Sequence, residues 1–126
     1  MTELPPYARL LGIALAAGGD GAPELMIPYG DQLLGRPGFL HGGAIAGILE
    51  IAAYAALRHA LGNDAVTLKP ISVTIDYLRG GRQRETRAAG RVVRIGGRVA
   101  NMVAEAWQDD RANPIAAIRM NLMIER

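Results

Sequence analysis

Cysteine is absent from the 126 residues, and lysine nearly so. Without cysteine the chain can form no disulfide, hold no metal through thiolate and use no cysteine nucleophile. Its two histidines lack ligand spacing and make a poor zinc site, so no metal is expected, and no motif read in the chain calls for another cofactor. An excess of charge is also missing. Fourteen basic against twelve acidic residues leave +2, too little to argue for nucleic acid as the main partner. Lys69 is the single lysine among the basic residues, a compositional bias to which we attach no function. The opening Met1-Thr2-Glu3-Leu4-Pro5-Pro6 has neither a basic flank nor an apolar run behind it, so no secretory segment is read there. With the missing cysteine, this gives the expectation of a cytoplasmic protein.

Half of the residues are hydrophobic, too many for a disordered chain, and the length suits one domain over residues 1–126. The longest apolar stretch, Leu40 to Leu61, carries His41, Glu50, Arg58 and His59. Ionisable groups spread along it make membrane insertion costly, so it reads as a buried helix. Gly62-Asn63-Asp64 is its stop, and His59 suits a C-terminal cap. It is apolar around most of its circumference, and the rest of the protein should wrap it.

Before the helix, Leu10–Ala17 and Glu24–Pro28 read as strands around Gly18-Gly19-Asp20-Gly21, and Tyr29–Phe39 as a loop. After it the period changes to two. Ile71, Val73, Ile75 and Tyr77 alternate with Ser72, Thr74 and Asp76, as in a strand with one buried face. Thr86–Val93, Val99–Trp107 and Ile115–Ile124 follow as strands, separated by short turns. Short turns imply an antiparallel sheet. The expected class is α+β: an antiparallel sheet curled around one long central helix. One sheet face would stay uncovered, which leads us to expect a homodimer.

The segment with chemical content is His41-Gly42-Gly43, where loop becomes helix. First-turn amides have no partner within the helix and lie at its positive end. Two glycines leave them open to a ligand oxygen, as an oxyanion hole requires. Equally, His41 could cap the helix and the glycines could serve tight packing. Glu50 lies among Ala46, Leu49, Ile51 and Ala53, which should desolvate it and make it a better base or nucleophile; a structural acid paired across a dimer is the alternative reading. At ~1.5 Å per residue Glu50 is about 13 Å along the axis from His41, and nearly half a turn around it. One helix cannot bring both to one small acyl group. Two antiparallel copies in a symmetric dimer can.

His-Gly-Gly heading a long apolar helix, with an acid nine residues after the His, resembles the hotdog-fold acyl-CoA thioesterases of the PaaI/4-hydroxybenzoyl-CoA type. The strand order, the Thr74–Arg79 stretch and the Val93–Arg98 hairpin are similar too. The resemblance spans roughly Leu10 to Ile124. It implies hydrolysis of an acyl-CoA to free acid and CoA by a homodimer or dimer of dimers. The Gly42 amide would polarise the thioester carbonyl, with Gly43 beside it. His41 would hold the loop or the sulfur side. Glu50 of the other chain would act as general base or as nucleophile. Thr67, and after it Ser72, are candidate helpers of that acid. Relatives often carry Asn six residues before the His, where this chain has Gly35; Asp31 or Gln32 could supply a polar group instead. Seven arginines lie between Arg79 and Arg98. They form either a solvated strand face or a docking surface for CoA phosphates, for which arginine is suited. Arg79, Arg82 and Arg98, beside glycine turns, are the candidate contacts. Two other readings stand beside hydrolysis: a dimer that binds acyl-CoA without turnover, and a hotdog hydratase or dehydratase.

Overall fold

A computed structural model describes residues 4–16, 21–63 and 65–125. The elements run α1 (Pro6–Leu11), β1 (Ala14–Leu15), β2 (Glu24–Ile27), α2 (Gly42–Leu61), β3 (Thr67–Tyr77), β4 (Thr86–Ile95), β5 (Val99–Trp107) and β6 (Ala116–Glu125). Six strands form one antiparallel sheet in the order β1-β2-β4-β5-β6-β3, with α2 packed on one face. This is the hotdog fold that the resemblance implies.

Helix α2 begins and ends where its sequence caps it. His41 is extended at the N-cap, and Gly62 closes the C-terminus at φ 65°, its amide reaching Arg58 O and His59 O. The composition of α2 would let it cross a membrane, yet the sheet covers it: Ile48, Leu49, Ala52, Ala53 and Leu57 are fully buried. Each large apolar side chain so buried contributes about 1.5–3 kcal/mol. Small residues on the sheet let the helix come close. Ala100, Ala104 and Ala106 face it from β5, and Gly90 of β4 lies so near that a Cβ would stand 2.9 Å from the carbonyl oxygen of Ala52. On β6, Ile118, Met120, Leu122 and Ile124 complete the core with period two.

Three expectations need correction. Leu10 and Leu11 belong to α1, and the strand expected there is reduced to Ala14–Leu15. Pro6 opens that helix and Gly12 ends it at φ 79°, signals that outweigh the local apolar run. Ala17 and Gly18-Gly19-Asp20, as well as Asp64, lie outside the described residues. Second, β3 does not pair with β4. Residues 78–85 carry the chain across the end of the sheet, and β3 lies at the edge beside β6. Third, the apolar face of β3 lies uncovered in one chain. Ile71, Val73 and Tyr77 are 40–55% exposed because α2 packs chiefly on β4 and β5 and barely reaches the edge strand β3. An edge strand also tolerates Pro70, which sits at a shift of register.

Candidate functional site

The loop before α2 is a small hairpin that aims His41. Leu34 bridges Leu40, the Gly35 amide donates to Phe39 O at 3.0 Å, and the His41 amide donates to Leu33 O at 2.7 Å. The Leu40 amide donates to Gly81 O at 2.9 Å, tying this loop to the one after β3. Gly38, at φ 83°, makes the turn after Pro37.

His41 is the N-cap of α2. Its Nδ1 accepts the Gly43 amide at 2.8 Å, and the amides of Ala44 and Ile45 turn to His41 O. The Gly42 amide has no acceptor among the described residues. Over it lies Tyr77, whose Oη donates to Gly42 O at 3.0 Å. A Cβ on Gly42 would meet that hydroxyl at 3.2 Å, so glycine is what lets the ring settle there.

These groups open onto a cleft of about 550 Å³, lined by Gly35, Arg36, His41, Gly42, Tyr77 and Arg79 among others. A second cavity of about 380 Å³ shares Phe39, Arg79 and Gly80 and adds Arg82. Phe39 carries two guanidinium groups, Arg36 at 4.0 Å and Arg82 at 4.5 Å from the ring centroid. Arg84 is paired with Asp109 and Arg87 with Glu24, whereas Arg36, Arg79 and Arg82 have no carboxylate partner among the described residues. Gln108 fixes the Arg82 backbone from both sides, accepting its amide and donating to its carbonyl, each at 2.9 Å. The cleft is thus an open helix N-terminus with a basic rim, an arrangement suited to an acyl carbonyl inside and anionic groups outside.

The structure brings Gly35, His41, Gly42 and Arg79 together, with Arg82 adjacent. Gly43 is exposed at the same helix end. Gly35 presses on His41: a Cβ there would lie 3.0 Å from His41 Cα. Asp31 accepts the Tyr29 hydroxyl at 2.6 Å, and neither it nor Gln32 lines the cleft. Thr67 and Arg98 sit together at the opposite end of the sheet. Thr67 registers with Glu125, and Arg98 O accepts the Ile124 amide at 2.7 Å. Tyr77 is ten steps along β3 from Thr67, which puts that end about 33 Å away at ~3.3 Å per residue. Ser72 bonds Asn121 on the outer sheet face.

Glu50 is half-buried on the side of α2 turned from the sheet, seven residues from Gly43 and so on nearly the same helical face. In one chain it is less enclosed than its neighbours in sequence suggest. Burial, and then the Glu50 charge, raise the Tyr54 pKa, while Arg58 opposes them. Three cleft residues were not singled out from sequence. Tyr77 carries only the alternation of a strand with one buried face, and Arg36 and Phe39 flank Pro37-Gly38, a turn whose position beside Gly80 no local pattern reveals.

The family model described as the thioesterase superfamily matches residues 37–115, and the chain belongs to that superfamily. No significant match was found among curated proteins. Among solved structures, a conserved protein from Pseudomonas aeruginosa is 25% identical, covers 96% of this chain and 94% of its own, and superposes with a TM-score of 0.86. A phenylacetic acid degradation-related protein from Ralstonia eutropha is 23% identical over 97% and 92%, with a TM-score of 0.83. A Bacillus halodurans protein solved with CoA is 22% identical over 95% and 78%, with a TM-score of 0.84.

Proposed function

We propose that the protein hydrolyses an acyl-CoA thioester to the free acid and CoA. The observation that carries this reading is the Gly42 amide at the head of α2, without an acceptor among the described residues, opening into a cleft lined by Arg36 and Arg79 with Arg82 in the adjoining cavity, none of the three paired with a carboxylate among the described residues. The amide receives the thioester oxygen as negative charge develops on it. Water, activated by Glu50 as base, adds to the carbonyl carbon, or Glu50 adds first and water releases the acyl group. Either way a carbon–oxygen bond forms, the carbon–sulfur bond breaks, and a proton goes to the departing sulfur. No metal or further cofactor is required. Arg36, Arg79 and Arg82 hold the CoA phosphates.

Glu50 comes from a second copy of the chain. It lies eight residues past Gly42, about 12 Å along the same helix at ~1.5 Å per residue. The uncovered apolar face of β3 and the side of α2 that bears Glu50 are the surfaces for a homodimer. The presence of a CoA-bound structure among those similar in fold supports the ligand class.

The test is thiol release from a panel of acyl-CoAs by the purified protein and by Glu50→Ala. Equal rates would reject Glu50 as the catalytic acid. A second reading, binding without turnover, is favoured by Gly35, which brings no side chain to the cleft. Calorimetric binding of acyl-CoA with no thiol release would support it.

A further inference from the structure

We infer that Tyr77 is a positioning residue, which fixes the tautomer of His41 by acting through the Gly42–Gly43 peptide. The inference rests on the reading of the α2 N-terminus as the acyl site, but its structural part can be tested without turnover.

Three groups stand in series. Tyr77 Oη donates to Gly42 O at 3.0 Å, and the amide of the same peptide, that of Gly43, donates to His41 Nδ1 at 2.8 Å. A carbonyl that accepts a hydroxyl draws electron density from its own nitrogen, which makes the N–H a stronger donor. Hydrogen bonds in such a chain polarise one another. A ring nitrogen that accepts must present its lone pair, so the neutral imidazole carries its proton on Nε2. His41 therefore offers the cleft one ring donor, Nε2–H, and Tyr77 strengthens the bond that enforces this.

The arrangement is built from residues 35 positions apart. The Leu78 and Arg79 amides both donate to Ile115 O, at 2.8 and 3.2 Å, anchoring the end of β3. The ring of Tyr77 lies on Gly42, where a Cβ would be 3.3 Å from Cζ. Tyr77 is 55% exposed, so water could satisfy its hydroxyl, yet the hydroxyl is turned to the peptide. Nothing in the core requires a tyrosine at this edge. Its position is accounted for by the helix end it touches.

The experiment compares wild type with Tyr77→Phe, which keeps the ring, and Gly42→Ala, which displaces the hydroxyl. Ring nitrogen resonances of the neutral protein are read by two-bond proton–nitrogen correlation. With two histidines in the chain, loss of one set in His41→Asn assigns the other to His59. Wild-type His41 should show the Nε2–H pattern, and both variants should move toward a mixture of tautomers. In acyl-CoA hydrolysis, Tyr77→Phe should lower kcat by about three- to tenfold, the equivalent of one neutral hydrogen bond, with KM within about twofold. An unchanged tautomer pattern in Tyr77→Phe overturns the inference, whatever happens to KM. A shifted pattern in a protein that releases no thiol leaves the inference standing and removes the hydrolase reading.

Discussion

The Nδ1 atom of His41 accepts the amide of Gly43 at 2.8 Å, so the side chain that faces the cleft also closes the helix beneath it. The two roles can be separated. His41→Ala loses the cap and should cost about 1 kcal/mol in urea unfolding. His41→Asn replaces the imidazole with a favoured capping side chain and should restore that stability. Both should lose thiol release by about tenfold or more, since neither supplies a ring donor to the cleft. Recovery of hydrolysis in His41→Asn would mean that His41 only caps.

Arg36, Arg79 and Arg82 form a rim without carboxylate partners among the described residues. Changing any one to glutamine should raise KM for acyl-CoA by about tenfold, the equivalent of one charge-assisted contact to phosphate. For a short thioester that lacks the nucleotide, KM should not change. Steady-state kinetics on the two substrates check this, and the difference should shrink as salt is raised.

Gly90 and Ala52 mark the closest approach of sheet and central helix. A Cβ at Gly90 would stand 2.9 Å from Ala52 O and 3.2 Å from Ala53 Cα. Backbone on both sides leaves no flexible group to yield. Gly90→Ala should therefore destabilise the fold by about 2–3 kcal/mol, seen as a lower urea midpoint with an unchanged slope.

Much of this fold can be read from the chain itself. The apolar stretch ending at Gly62 announces α2, and turns rich in glycine or polar residues delimit β4, β5 and β6, with Val99–Trp107 found at its expected bounds. The partner of β3 is not legible. A period of two fixes which residues share a face, but no local signal says that Tyr77 registers with Ala116 rather than with β4. Helix α1 is six residues long, too short to show a helical period, and is marked only by Pro6 and Gly12. The site divides the same way. His41 and Gly42 are recognisable because a helix start is a local event. Tyr77, Arg36 and Phe39 join them through contacts between loops distant in sequence. Thr67 and Arg98 share the vocabulary of strand ends and glycine turns, yet they lie at the far end of the sheet.

In the proposed mechanism the helix end of one chain and Glu50 of another serve one carbonyl. This is tested most directly by mixing two disabled proteins. Glu50→Ala removes the acid, and Gly42→Val blocks the amide; each alone should be nearly inactive. After unfolding and refolding together, random pairing makes half of the dimers hybrid, each with one intact site, so about a quarter of wild-type thiol release should return. Hybrid dimers verified by differential tags but showing no recovered activity would mean that Gly42 and Glu50 of different chains do not share a site.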